Sequence, residues 1–190
     1  MAEAPLRTPY RPFGPTGGPI VQRFWSALRL DVAFYRGAAA DGGGTGPAGA
    51  IVGIIAIVRD SPVLYAISLV SQVWAIALPI IAAAALLRWV IVAAITFGLL
   101  RLFRSAATFT SLLRVLAYAD APTMLFALTP WLEPAWFLPA HVVLLSWSFA
   151  ATLVALYAVE PAPLWRAALV TVPVFLVQQV GLGLMRAVLQ

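Results

Sequence analysis

Five apolar phases dominate this chain after residue 46, at about 47–70, 73–100, 121–133, 135–158 and 165–188. A run of ~20 apolar residues suffices to cross a bilayer as a helix, and a backbone inside lipid must satisfy its own polar groups. The fold class this pattern predicts is all-α: an integral membrane helical bundle of about five transmembrane helices. Of the 190 residues, 63% are hydrophobic and 10% charged, more apolar surface than a soluble domain of this size could cover. Cysteine is absent, which excludes disulfides, thiolate metal sites and cysteine nucleophiles.

The chain divides unevenly. Residues 1–19 hold five prolines and no apolar core of a signal peptide, so the sequence predicts a disordered tail that stays attached. In residues 20–36, Val21, Phe24, Trp25, Leu28, Val32 and Tyr35 share one helical face. That predicts an interfacial amphipathic helix with Trp25 and Tyr35 at headgroup depth, or packed on the protein's own cytoplasmic end. Residues 37–46 read as a flexible linker, and 47–190 as the five-span domain.

Within that domain the first span is interrupted by Arg59-Asp60-Ser61-Pro62. Ser61 before Pro62 is a helix-start signal, so the span reads as broken across 47–70. The competing parse ends a short helix at Val58 and starts a full span at 63. The third span, 121–133, is short and reads as a re-entrant or tilted hairpin with the fourth.

Between spans two and three, Phe109, Leu112, Leu113 and Leu116 recur at i, i+3, i+4 and i+7, while Thr110, Ser111 and Arg114 fall opposite. This predicts a second amphipathic helix at about 105–118, lying along the membrane surface with Arg114 in the headgroups.

All twelve basic residues are arginine. Arg7, Arg11, Arg23, Arg29 and Arg36 precede span one, Arg101, Arg104 and Arg114 separate spans two and three, and Arg166 separates four and five. With five spans these segments share one side, and only Arg186, near the C-terminus, lies across from them. The positive-inside rule then predicts a cytoplasmic N-terminus and an outer C-terminus. The net charge of +5 is placed for anionic headgroups. No basic run interleaved with aromatics marks a nucleic-acid groove. The expected partners are therefore the lipid bilayer and other membrane proteins or further copies of the chain.

The segments FWSALRLDVAFY at 24–35, ITFGLLRLF at 95–103 and ATFTSLLRVLAYADAP at 107–122 resemble, in order and spacing, the bacterial branch of the Yip1-domain family. The similarity extends over most of residues 24–188. It implies five spans, a cytoplasmic N-terminus, an amphipathic segment running into an alanine-proline start of span three, and residence in a bacterial cytoplasmic membrane. Eukaryotic relatives are implicated in vesicle trafficking and contact with small GTPases. This chain departs at Arg36-Gly37-Ala38, where relatives often carry acidic residues, and at Thr110-Ser111, where they carry Gly-Glu. Partner contacts made by those acids do not carry over.

Few residues offer chemistry. Arg88 falls inside span two, where an arginine costs about 2.5–3.5 kcal/mol on insertion scales, so it is a candidate intramembrane site with Asp60 or Glu133 as partner. Arg59-Asp60 is expected to be a mutually neutralised kink or a surface loop, with a break in an ion pathway as the functional alternative. His141, the one histidine, lacks the clustered ligands of a metal site and is expected to bond a neighbouring helix; single ligation of a haem or chlorin, or proton shuttling, is its functional alternative. Gln178, Gln179, Ser146, Ser148 and Thr152 suit interhelical hydrogen bonds, and Gly181 and Gly183 close approach. Trp25, Arg29, Arg101, Arg104 and Arg114 form the candidate lipid or partner surface. No nucleophile–base constellation, phosphate loop or carboxylate pair occurs, so neither catalysis nor a cofactor is expected. The leading reading is a non-enzymatic membrane organiser or scaffold. An accessory subunit of a larger membrane complex and a small transporter or channel are the alternatives, and the absence of an internal repeat weighs against the last.

Overall fold

The computed structural model describes residues 20–62, 64–65, 74–160 and 163–189, with the backbone alone at 20, 74 and 181–189. The expected disordered tail, most of the second half of span one with the residues up to 73, and the packing of Gly181 and Gly183 lie outside the described residues. The described elements are α1 (Ile20–Leu28), α2 (Val32–Ala40), α3 (Thr45–Arg59), α4 (Trp74–Leu102), α5 (Phe109–Ala119), a 3-10 helix (Ala121–Trp131), α6 (Pro134–Val159) and α7 (Leu164–Leu189). They form a helical bundle, as the apolar phasing predicts. Three segments are long and apolar enough to cross a membrane: Ala75–Leu102, Phe109–Trp131 and Pro134–Val159. Thr45–Arg59 and Leu164–Val180 are shorter apolar helices.

The N-terminal amphipathic segment is two helices where one is expected. The chain turns at Leu30, whose φ is 58°. Leu30 N donates to Ala27 O at 3.1 Å and Asp31 N to Ser26 O at 3.3 Å, closing α1 with a left-handed residue in the place usually given to glycine. Asp31 then caps α2, its carboxylate accepting from Ala33 N at 2.9 Å and Phe34 N at 3.4 Å. Apolar periodicity survives a turn of this kind, which is why the sequence reads as continuous. The linker shrinks correspondingly: α2 reaches Ala40 and α3 begins at Thr45. Between them Asp41 folds over the turn, accepting from Gly43 N at 3.1 Å. A Cβ on Gly44 would come within 3.0 Å of the Asp41 side chain.

The largest revision concerns the helix predicted on the membrane surface. Its start is as expected: Thr108 and Ser111 exchange capping hydrogen bonds at 3.2 Å. From Leu112 to Asp120, however, every residue is buried. α5 packs against α2, α3, α4 and α6 and is the centre of the bundle. It runs on into the 3-10 helix, so the predicted surface helix and the short third span are one segment. Pro122 lacks an N–H for an α-helical bond, and Thr123 instead closes 3-10 turns on Asp120 O through its N at 2.9 Å and its Oγ1 at 2.7 Å.

The break in span one falls where expected: α3 stops at Arg59, Asp60 turns, residues 61–62 are helical again, and the helix of span two begins at Trp74. The polar residues of span four differ in detail. The hydroxyls of Ser148 and Thr152 are buried between helices but donate to Leu144 O at 2.9 Å and Ser148 O at 3.0 Å within α6. Each is satisfied by its own helix one turn back. Ser146 is exposed.

The core joins Ile51 and Ile55 of α3, Leu112 and Leu116 of α5, Leu156 of α6, and Val170 and Val174 of α7. Outside it an apolar belt faces outward, including Leu87 and Ile91 on α4, Trp136, Leu138 and Val143 on α6, and Leu169 and Leu176 on α7. An apolar belt around apolar helices is stable only in lipid or against another apolar surface.

Candidate functional site

Four charged residues meet inside the bundle where α3 ends, α4 passes its midpoint and α5 gives way to the 3-10 helix. Arg59 is 3% exposed and Asp60 6%. Arg59 Nε donates to Asp60 Oδ1 at 3.1 Å and Nη2 to Oδ2 at 2.7 Å, a two-pronged contact. Arg88 Nη2 donates to Asp120 Oδ2 at 2.5 Å, and the Asp120 charge also reaches Arg59. The predicted partners of Arg88 are thus replaced: Asp60 is held by Arg59, and Glu133 is exposed at the far end of the 3-10 helix. The expectation of a neutralised Arg59-Asp60 pair holds, in the interior rather than in a surface loop.

The cluster sums to zero charge. Arginine does not deprotonate in proteins, and the described residues contain no group of three His, Cys, Asp or Glu that could hold a metal. Arg59 Nη1 and Arg88 Nε are buried without a hydrogen-bond partner. What the geometry provides is a cross-link between α4 and the α5 junction beside the end of α3. Removing one member of such a pair leaves a buried charge and costs about 3–5 kcal/mol.

Further polar contacts tie α5 to its neighbours. Arg114, predicted in the headgroups, is 8% exposed; its Nε donates to Thr45 Oγ1 at 3.0 Å and its Nη1 to Ala39 O at 2.9 Å. Trp89 Nε1 donates to Leu113 O at 2.8 Å, and Arg23 Nη1 to Tyr118 Oη at 3.3 Å. Tyr35, expected at headgroup depth, is fully buried and donates to Ala27 O at 3.3 Å. Burial there pushes its hydroxyl pKa well above the ordinary tyrosine value. Trp147, halfway along α6, donates to Leu28 O at 3.0 Å, so α1 and α2 lie along the flank of the bundle.

The remaining candidates are scattered. His141 sits between Phe137 and Phe126, with ring centroids 4.2 and 5.1 Å away, and its Nδ1 donates to Phe137 O at 3.0 Å in its own helix. Gln178 is buried and Gln179 half-buried on α7. Trp25 is exposed under Arg29, whose guanidinium carbon lies 5.2 Å from the ring centre. Arg101 stands 4.7 Å from the Phe97 ring centre. Arg104 is exposed with φ 56°; it closes α4 by donating to Arg101 O at 3.0 Å, while Ser105 N donates to Leu100 O at 3.1 Å. Arg166, not singled out from the sequence as a site, lies 5.3 Å from the Trp165 ring centre at the same end of the bundle.

Asp120 is the functional-looking residue that sequence reasoning passed over. Its signal was present: a carboxylate between two apolar segments, immediately before Ala121-Pro122. The sequence pattern that defines the Yip1 domain matches residues 26–185. No curated protein and no solved structure matches the chain.

Proposed function

The chain belongs to the Yip1 domain family of membrane proteins, and from that premise we propose that it is a non-enzymatic organiser or scaffold acting through protein and lipid contacts. One observation carries the reading. The interior charges are taken up within the fold: Arg59 and Asp60 neutralise each other, Arg88 and Asp120 join α4 to the α5 junction, and Arg114 ties α5 to α2 and α3, while the first half of α6 turns Trp136, Phe137, Leu138, Val142 and Val143 outward. A side of the bundle with so many large apolar groups and so little polar chemistry is suited to contact. The protein resides in a bacterial cytoplasmic membrane with its N-terminus inside. The exposed Arg101 and Arg104 and the neighbouring Arg166, gathered at one end of the bundle, support that orientation.

A photo-crosslinking residue in place of Val143 tests the contact surface in native membranes. Discrete protein adducts are the expected result, and adducts to lipid alone would remove the scaffolding role. Because the chain has no cysteine, Ala106→Cys tests the orientation cleanly. An impermeant maleimide should label it only from the cytoplasmic side.

A further inference from the structure

At one height of α6 the bundle shows two different faces. Trp147 Nε1 donates to Leu28 O at 3.0 Å, which fixes the turn between α1 and α2 against one side of α6. Phe149, in the next turn of chain, meets Phe175 of α7 with ring centroids 5.4 Å apart. Successive helical residues are about 100° apart, so Trp147 and Phe149 point to nearly opposite sides of α6 at almost one height. With a rise of about 1.5 Å per residue, that height is about 18 Å from Val159 at the arginine-bearing end. α5 gives a similar depth. Phe109 packs on Phe97 of α4, and Arg114 holds Ala39 O and Thr45 Oγ1, which puts the end of α2 about 15 Å from Leu102. On the α7 side the exposed residues around this height are Leu169, Val172 and Leu176. On the α1–α2 side Arg29, Asp31 and Arg36 are exposed. None of the three belongs to the ion pairs among the described residues, Arg59–Asp60 and Arg88–Asp120.

Charges facing acyl chains near mid-bilayer are costly, and a continuous apolar face is unstable in water. A bilayer meets both faces only where its headgroup layer reaches farther down the α1–α2 side than the α7 side. We propose that the exposed α1–α2 flank binds headgroups of the cytoplasmic leaflet about halfway down the bundle, their phosphates accepting from Arg29 and Arg36, so that the lipid–water boundary dips inward on that flank alone. Trp25, under Arg29, has the side chain favoured at headgroup depth. The exposed charges are two arginines to one aspartate. Phosphate complements that excess, whereas a second copy would set the same excess against itself. The inference rests on the cytoplasmic N-terminus proposed above, and it needs no protein partner.

The test reads depth in the full-length chain, which has no cysteine of its own. Gly37→Cys places a fluorophore beside Arg36, where an added Cβ meets nothing within 4 Å. Leu176→Cys places it at a similar height on the exposed face of α7. Each is reconstituted in vesicles of phosphatidylethanolamine and phosphatidylglycerol, with a minority of lipid carrying a nitroxide either on the headgroup or deep in the acyl chain. The headgroup nitroxide should quench the Gly37 probe and the deep nitroxide the Leu176 probe, a depth difference of about 10–15 Å, up to half the hydrocarbon core. Arg29→Gln with Arg36→Gln should lose most of the headgroup quenching at Gly37 and leave the Leu176 probe unchanged. Equal depths at the two positions, or a Gly37 probe unmoved by the double variant, overturn the proposal. A Gly37 probe reached by neither nitroxide, with disulfide-linked dimers of Gly37→Cys, also overturns it and assigns the flank to a second copy. Where the double variant fails to fold, the two depths measured with both arginines in place decide. Crosslinking at Val143 that finds no protein removes the scaffolding role and leaves this depth difference untouched.

Discussion

The arginines of this chain live in two regions under opposite rules. Inside the bundle, Arg59 and Arg88 each face a carboxylate, and Arg114 reaches a hydroxyl and a carbonyl. At the outer surface, Arg29 lies over Trp25, and Arg101 over Phe97. The side chain is the same; the medium differs. In the interior, a guanidinium without an acceptor carries its whole desolvation cost, so the fold supplies one. At the surface, water and headgroups already solvate the charge, and a ring face adds only a modest attraction. Interior arginines should therefore govern stability, and surface arginines should govern how the bundle meets its surroundings.

The contrast is broken most sharply at Asp120. Asp120→Ala strands Arg88 and should destabilise the protein by about 3–5 kcal/mol, read as thermal unfolding in detergent. The double variant Arg88→Leu with Asp120→Leu should recover most of that loss, because an apolar pair replaces a buried ion pair. If the double variant is no better than Asp120→Ala, the cluster does more than join helices. Arg114→Met comes next. It removes two hydrogen bonds from a buried charge and should cost about 2–3 kcal/mol by the same measurement. Were the helix on the membrane surface, this change would be nearly silent.

Arg104→Gly should act in the opposite direction. Arg104 holds a left-handed backbone that glycine adopts freely, so stability should rise by about 0.5–1 kcal/mol. The smallest effect is expected at Arg101. Arg101→Gln should leave unfolding within about 0.5 kcal/mol of the unaltered chain, yet weaken the enrichment of anionic over zwitterionic lipid around the reconstituted protein in a salt-dependent way. A large loss of stability there would erase the distinction between the two regions.

Legibility followed the same division. The helices expected for spans four and five were readable almost to the residue, 135–158 against Pro134–Val159 and 165–188 against Leu164–Leu189, because long apolar runs between prolines and charges favour one continuous helix. The placement of α5 was not readable. Its pattern of Phe109, Leu112, Leu113 and Leu116 opposite Thr110, Ser111 and Arg114 describes two faces. It does not say whether the second meets headgroups or another helix. α2 and α3 supply the acceptors that let Arg114 turn inward, and these lie about 70 residues away in sequence.

The pairing of Arg88 was hidden for a related reason. By charge, Asp60 and Glu133 were the partners weighed, and Asp120, 32 residues away from Arg88, was passed over. Arg59 holding Asp60, and the 3-10 helix carrying Glu133 to its exposed far end, decide the choice.

By itself, then, the sequence determined the solvent, the helical class, the later spans and the family resemblance, since these follow from local hydropathy and the need to satisfy a backbone in lipid. Tertiary structure alone decided which amphipathic face was buried, which carboxylate met Arg88, and that the turn between α1 and α2 lies halfway along α6. Those are contacts between distant segments, and their energies depend on what the rest of the chain brings alongside.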